Sequence, residues 1–203
     1  MNIVLGSSNP HKVKEINEIA SYPYILNACT EENSGKNIKV NFILPPKDFN
    51  PDETGTTFEE NSLIKAKEAW TLAHTWSLAD DSGLCIDALD GNPGIYSARY
   101  AETPQKRIER VLKELEGVKN RTAHFTCHMT LLAPNGSTAL SCEGICKGSI
   151  AYEPKGVNGF GYDPIFIPDR YNKTIAELEE EEKNRISHRS NALIQIIKYL
   201  YSL

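Results

Sequence analysis

The sequence predicts a mixed-sheet α/β fold of two lobes that flank a cleft. Three observations support it: a strand, loop and helix open the chain, an alternating hairpin occupies its middle, and an amphipathic helix closes it. With 203 residues the chain is long enough for a proper core, and no repeat or linker divides it. We therefore treat residues 1–203 as a single domain.

Composition sets limits on function. Hydrophobic residues make up 40% and charged residues 24% of the chain, which are ordinary fractions for a globular protein. The net charge of -5 argues against nucleic-acid and membrane partners, although a small anion needs only a local basic pocket. The first residues carry no basic leader, and the five cysteines include no CxxC pair. We expect a cytoplasmic protein.

The first element is a strand over Asn2–Leu5, followed by a tight polar loop and a helix. Asn9 is a strong N-cap and Pro10 suits the first helical position. A helix N-terminus binds anions, and this loop adds further donors. Those donors are Ser7, Ser8, Asn9 and Lys12. The pattern favours phosphate binding, with a merely capped surface helix as the alternative, and it lacks the spacing of a Walker loop.

The next elements are a strand within 38–44 and a long helix that begins after Thr57. Thr57 and Glu60 have the spacing of a capping box. Glu53 precedes the helix, where its carboxylate could face Asp81, although an exposed acid is the simpler interpretation.

Two adjacent carboxylates, Asp80 and Asp81, follow the apolar run that ends at Ala79. We expect Ser82-Gly83 to form a tight turn and 84–86 to form a short strand. One carboxylate would suffice for a turn, and two repel each other. The doublet therefore favours a hard-cation site, since Mg²⁺ takes one or two carboxylates together with substrate phosphates.

Later segments predict a helix from Thr103 to Gly117 and a hairpin around Asn135-Gly136. Histidines and cysteines in the hairpin suggest zinc, but alternation puts the cysteines on the apolar face and the histidines on the other. Core thiols are therefore the favoured interpretation. The aromatic and arginine content of 95–100 indicates a pocket wall or a subunit contact.

A glycine-rich loop at 156–164 could let a ligand approach closely, with Phe160 stacking on a base; a surface loop with a buried aromatic is the alternative. Thr174 and Glu177 have the spacing of a second capping box. His188 and Arg189 open the last helix, where cations are unfavourable, so their placement indicates a ligand.

Four segments together resemble the inosine/xanthosine triphosphate pyrophosphatase family almost from end to end. They are residues 7–12, 53–61 running to 80–84, 91–100, and 159–164 with 187–189. Residues 21–52 are longer than is typical for that family, and Pro10-His11 replaces smaller residues. The resemblance implies an elongated mixed-sheet fold with a nucleotide-binding cleft, and a homodimer. It implies hydrolysis of ITP, dITP and XTP to monophosphate and pyrophosphate with Mg²⁺, for which Mn²⁺ could substitute.

The resemblance also assigns roles to residues. Asp81 would activate water and, with Glu53 and Asp80, hold the metal ion. Lys12 and Lys183 would bind the triphosphate, Phe160 would stack on the purine, and Asp163, His188 and Arg189 would read its edge. The remaining implied substrate contacts are Ser7, Ser8, Asn9, Pro10, His11, Ser82, Gly161 and Tyr162.

Three alternative functions are compatible with parts of this pattern. A related pyrophosphatase could act on pyrimidine or modified nucleotides with the same phosphate machinery. A nucleotide sensor without turnover is disfavoured by the full set of acids and lysine, and an aspartyl phosphatase by the absence of an Asp-x-Asp pattern.

Overall fold

The computed structural model describes residues 1–22, 25 and 39–203. Residues 23–24 and 26–38 of the longer segment expected at 21–52 lie outside these described residues.

Strands of both orientations form the sheet. Over the described residues six strands follow the order β2-β1-β3-β4-β5-β6. β1 runs parallel to β2 and β3, whereas β5 is antiparallel to β6. The strands are β1 (Asn2–Leu5), β2 (Asn41–Ile43), β3 (Ser77–Ile86), β4 (Thr122–Leu132), β5 (Thr138–Ile150) and β6 (Phe166–Pro168). The predicted mixed-sheet α/β class is confirmed.

Helices begin where the capping residues predict. Thr57 accepts a hydrogen bond from the Glu60 amide at 3.1 Å, and Thr103 accepts one from Lys106 at 3.2 Å. The α-helices in the described ranges are α1 (Pro10–Ser21), α2 (Phe58–Ala73), α3 (Pro104–Glu114), α4 (Glu180–Ile186) and α5 (His188–Ser202). No helix in this part of the chain is both long and apolar enough to cross a bilayer.

The two predicted capping boxes differ in outcome. Thr174 and Glu177 form the reciprocal pair at a 3₁₀ turn over Ile175–Glu177. At α2 the Glu60 carboxylate instead reaches the amide of Thr56 at 2.6 Å and its hydroxyl at 2.8 Å. The carboxylate therefore satisfies a donor one residue before the N-cap.

The chain divides into two compact units. Unit 1 comprises Met1–Asp81, Cys127–Gly144 and Ser190–Leu203. Its core packs α1 and the apolar face of α5 against the sheet, and the buried members include Ile3, Leu5, Ile16, Leu78, Met129, Leu193 and Ile197. A smaller apolar cluster joins Ala66 of α2 to Ala79 and Leu132.

Unit 2 comprises Ser82–Thr126 and Ile145–Arg189. Its core places α3 against strands of the sheet, and the buried members include Leu84, Ile86, Ile108, Val111, Phe125, Ile150, Ile165 and Phe166. Each unit thus has its own apolar core, as an independently packed body requires.

The hairpin cysteines are core residues. Cys127 and Cys142 belong to the core of unit 1 and Cys146 to that of unit 2. The core-thiol interpretation is confirmed. Thr130 shares by alternation the face of β4 that was predicted for the histidines, and it is nevertheless buried, because α2 covers that face and Ser62 contacts it.

The predicted turn at Ser82-Gly83 is wrong. β3 runs without interruption over Ser77–Ile86, so both carboxylates lie inside a strand. Successive side chains of a strand point to opposite faces. Each carboxylate can therefore meet a lysine from a different helix, which offsets part of the repulsion between them.

Candidate functional site

The loop between β1 and α1 packs tightly against its surroundings. A Cβ at Gly6 would lie 2.7 Å from the Cβ of Ala79 and 2.9 Å from the carbonyl oxygen of Lys65. Only glycine fits at that approach. The loop that follows is more exposed: Ser8, Asn9 and Pro10 are all on the surface.

Backbone and side-chain bonds shape the start of α1. The Asn9 amide donates to the Ser7 hydroxyl at 3.2 Å, and the Lys12 amide donates to the Asn9 carbonyl at 3.1 Å. Pro10 and His11 form the first residues of the helix. The predicted phosphate-binding loop thus exists as a strand, loop and helix N-terminus, an arrangement that suits an anion.

Lys12 pairs with the first carboxylate of the doublet. Its ammonium group lies 2.9 Å and 3.0 Å from the two oxygens of Asp80. Asp80 is almost fully buried, whereas the Lys12 side chain keeps partial exposure. A buried carboxylate needs such a partner, and the partner here still reaches solvent.

Lys65 of α2 pairs with the second carboxylate. Its ammonium group lies 2.6 Å from Asp81 Oδ1 and 3.2 Å from Glu53 Oε1. Lys65 and Asp81 are both buried, and the Glu53 side chain is partly exposed. The structure therefore brings Glu53 and Asp81 to one cation, as predicted, while Asp80 is held by Lys12.

Asn61 completes the surroundings of Asp81. Its amide nitrogen lies 3.4 Å from Asp81 Oδ2, and its amide oxygen accepts from the Gly55 backbone at 2.9 Å. A Cβ at Gly55 would come within 2.6 Å of that oxygen. The loop that carries Glu53 is thereby tied to α2 next to the carboxylate.

Charge in this cluster is dense and nearly balanced. Three carboxylates face two ammonium groups. Burial raises the pKa of Asp81, and attraction to Lys65 offsets this only in part. Burial opposes the charge on Lys65, but Asp81, Asp80 and Glu53 together raise its pKa. A carboxylate with a raised pKa is a better proton acceptor than an exposed one.

The donor set can be compared with what a divalent cation needs. No group of three or more His, Cys, Asp or Glu side chains in the described residues is arranged to hold a metal ion by itself. Mg²⁺ needs fewer protein ligands, since it keeps waters and uses substrate phosphates. Glu53 and Asp81 already share one cationic group within 3.2 Å. Their chemistry fits a hard cation.

A second cluster lies in unit 2, on the glycine-rich loop. Asp163 Oδ2 accepts from the Phe160 amide at 2.9 Å and from the Lys183 ammonium at 2.8 Å. That ammonium group also lies 4.8 Å from the centre of the Phe160 ring. The ring itself is 59% exposed, as a stacking platform must be.

Lys183 is therefore placed differently from the role that the resemblance gave it. It was expected to neutralise the triphosphate, and in unit 2 it is bound to Asp163 beside the candidate base platform. Its side chain is largely buried in α4, although the acidic residues that precede it in the chain are exposed.

Gly159 is required by the same arrangement. Its φ is 75°, and a Cβ there would lie 2.1 Å from Asp163 Oδ2. Gly161 also has a positive φ of 64°, but nothing lies within 4 Å of its Cβ position. Tyr162 is buried and donates its hydroxyl to the Ser97 carbonyl at 2.9 Å. Its side chain serves the core of unit 2 rather than a ligand.

His188 and Arg189 lie at the start of α5 in packed surroundings. The His188 ring stacks on Phe125 with 4.9 Å between centroids and 14° between planes. Arg189 is 2% exposed, and its guanidinium lies 3.3 Å from the Ser82 hydroxyl. Ser82 directly follows Asp81 in β3, so one peptide bond links the residue held by Lys65 to the residue held by Arg189.

Sequence reasoning missed Lys65 and Asn61. Both are buried and lie four residues apart on one face of α2. The signal that could have found them is this polar pair beside Ala66 and Ala69, since a buried lysine on a helix requires a carboxylate partner.

Comparisons with known proteins find relatives over most of the chain. A model of the Ham1 family matches residues 3–199. A dITP/XTP pyrophosphatase from Oceanobacillus iheyensis is 44% identical, covering 99% of this chain and 98% of the relative. One from Synechocystis is 48% identical over 76% of this chain and 79% of the relative. The structure of a HAM1 protein from Coxiella burnetii superposes with a TM-score of 0.84 at 40% identity, with both chains fully covered.

Proposed function

The chain belongs to the Ham1 family, and we propose that it hydrolyses dITP, ITP and XTP to the monophosphate and pyrophosphate. The names of its relatives support this activity. The observation that carries it is the pair of lysines on consecutive carboxylates of β3, with Glu53 sharing Lys65. In such a cluster Lys12 can bind a polyphosphate, and Asp81 can accept a proton next to it.

The triphosphate is held by the loop after β1 and by Lys12. Amide groups at the start of α1 and the hydroxyls of Ser7 and Ser8 donate to phosphate oxygens. The Lys12 side chain is 23% exposed while its ammonium group binds Asp80. It can therefore meet a phosphate without breaking its ion pair.

Asp81 accepts the proton of the attacking water. Water adds to phosphorus at the α–β bridge, the bridging oxygen leaves with pyrophosphate, and one proton of the water passes to the Asp81 carboxylate. The raised pKa of Asp81 supports this role, because the carboxylate gains more by taking up a proton than an exposed one would. Asn61 and Lys65 hold its two oxygens in place.

Mg²⁺ is the metal ion that fits Glu53 and Asp81, with Asp80 nearby in β3 and Mn²⁺ as a substitute. When bound it would neutralise charge on the phosphates. Lys65 is paired with the same two carboxylates, so its ammonium group stabilises their negative charge.

Residues of unit 2 recognise the base. The exposed Phe160 ring stacks on the purine, and Lys183 and Arg189 donate to its 6-oxo group. Adenine presents an amino group there, and a buried donor left unpaired costs about 1–3 kcal/mol, or roughly ten- to a hundredfold per contact. One or two such contacts suffice to reject adenine.

The proposal extends to assembly and compartment. A homodimer is supported by the exposed ring of Tyr96, which lies 5.0 Å from the Arg99 guanidinium, since tyrosine and arginine are enriched at interfaces. The cytoplasm is the compartment we propose, because the substrates belong to the nucleotide pool.

Product analysis tests the activity. The protein is incubated with inosine triphosphate and Mg²⁺, and the products are resolved by ion-exchange chromatography. Monophosphate plus pyrophosphate is expected, with adenosine triphosphate cleaved at least tenfold more slowly. Diphosphate plus phosphate, or equal rates on both nucleotides, would refute the proposal.

A further inference from the structure

Unit 1 contains a buried polar cluster that the mechanism above does not use. The Ser62 hydroxyl of α2 lies 2.7 Å from the Thr130 hydroxyl and 3.1 Å from His128 Nδ1, both on β4. It also donates to the Glu59 carbonyl at 2.9 Å. Ser62 and Thr130 are buried to 0% and 1% exposure.

The hydrogen-bond directions in this cluster follow from counting protons. A hydroxyl has one proton and two lone pairs, and the Glu59 carbonyl can only accept. The Ser62 proton therefore goes to Glu59, and the Thr130 hydroxyl donates to Ser62. His128 must then carry its proton on Nδ1 and donate as well. Every hydrogen-bonding position of Ser62 is used.

Such a polar cluster determines how α2 is oriented on β4, in addition to filling the space between them. Apolar side chains would pack α2 on β4 without the cost of burying polar groups. Directional bonds instead hold the helix at one rotation and one height along the strand. Ser62 follows Asn61 directly and precedes Lys65 by one helical turn, so it sets the position of the two residues that hold Asp81.

We propose that Ser62, Thr130 and His128 are positioning residues, which dock α2 on β4 so that Asn61 and Lys65 hold Asp81 in its reactive orientation. This inference rests on the proposed function, in which Asp81 accepts a proton. A displacement near 1 Å at a reacting group can lower a rate by about a hundredfold. A small rotation of α2 is therefore expected to lower kcat more than it weakens substrate binding.

The test uses Thr130→Val, which keeps the shape and removes the hydroxyl. We expect kcat for inosine triphosphate to fall about tenfold with KM within twofold. Thr130→Ser keeps the hydroxyl and should restore kcat. Ile197→Val in α5 of unit 1 is the control for a small loss of stability away from this cluster, and its kcat should not change.

A double variant keeps the test valid if Thr130→Val does not fold. Ser62→Ala with Thr130→Val removes both hydroxyls, so neither of these two buried hydroxyls is left without the other, and the partly exposed His128 loses a partner. Its melting temperature should approach that of the unmodified protein while kcat stays low. A double variant with unmodified kcat would overturn the inference, and so would a Thr130→Ser variant that is as slow as Thr130→Val.

The unmodified protein separates the two proposals. If it releases no pyrophosphate, the proposed function fails. If it does, and Thr130→Val melts lower with unchanged kcat, the cluster is only structural and the positioning role fails.

Discussion

The acidic cluster of unit 1 and the glycine-loop cluster of unit 2 are built in opposite ways. In unit 1 every oxygen of Asp80 and Asp81 meets a donor from α1 or α2, and both carboxylates are buried. In unit 2 the central feature is the exposed ring of Phe160, held on a loop that turns at Gly159. The groups proposed to act on every substrate are fixed in advance, as preorganised catalysis requires. The group proposed to stack on the base is exposed to solvent.

Asp81→Asn in unit 1 should have the largest effect of these substitutions, on the rate of hydrolysis. Removing a general base costs about 10²- to 10⁴-fold in rate, and the amide cannot accept the proton. We expect kcat to fall in that range for inosine and xanthosine triphosphates alike, as measured by pyrophosphate release. A variant that keeps more than a tenth of the unmodified rate would exclude Asp81 as the base.

Phe160→Ala should affect unit 2 without unfolding it. Loss of base stacking costs about 1–3 kcal/mol, so KM should rise about ten- to a hundredfold. The melting temperature should barely change, because the ring is exposed. The matched control is Phe166→Ala, which removes a fully buried ring and should cost about 3–5 kcal/mol of folding stability. If both variants melt at the same temperature, the Phe160 ring contributes to the packing of unit 2 and is not available to stack on a base.

Gly159→Ala sharpens the comparison within the loop. A methyl group would meet Asp163 Oδ2 at 2.1 Å, so Asp163 must release Lys183 or the loop must move. KM should rise by about tenfold if one or two hydrogen bonds are lost. Gly161→Ala carries a similar backbone strain but meets no neighbour, and its KM should change less. Equal KM values for the two variants would show that the carboxylate contact is unimportant.

Thiol reactivity should show that the two cores are equally closed. Burial raises the pKa of Cys142 in unit 1 and of Cys146 in unit 2 to about 11. The pKa of a thiol in the unfolded chain is about 8.5. The stability gained by burying the neutral thiols is therefore fully present below that pH and is lost as the pH rises through about 11. Iodoacetamide at pH 8 should therefore label both residues slowly in the native protein, as followed by mass spectrometry. Fast labelling of one alone would reveal a loosely packed unit.

Local signals in the sequence were sufficient for most elements. Thr57, Thr103 and Thr174 marked their helix starts correctly because capping depends on a few neighbouring residues. The turn expected after Asp81 was wrong because the Ser82-Gly83 pair is only a local signal, and sheet pairing extends β3 through it. Lys12 and Lys65 reach the doublet from positions 68 and 16 residues away, and such pairings are set by tertiary packing.

The candidate site was predictable in its acids and less so in its cations. Glu53 and Asp81 were expected together and share Lys65, which sequence reasoning did not single out. Lys183 was assigned to the phosphates because a triphosphate needs cations and the resemblance offered this lysine. Its partner Asp163 lies 20 residues earlier, and only the packed loop reveals the pairing.

The uninterrupted course of β3 has a consequence for how the strand finds its alignment. A slip by one residue would place Asp80 where Asp81 now meets Lys65, and Asp81 where Ser82 now lies, so Lys12 would lose its carboxylate. The same slip would force Leu78 into the space where Ala79 packs closely against Gly6. Side-chain size at Ala79 and the two lysines thus act together to hold the strand in its alignment.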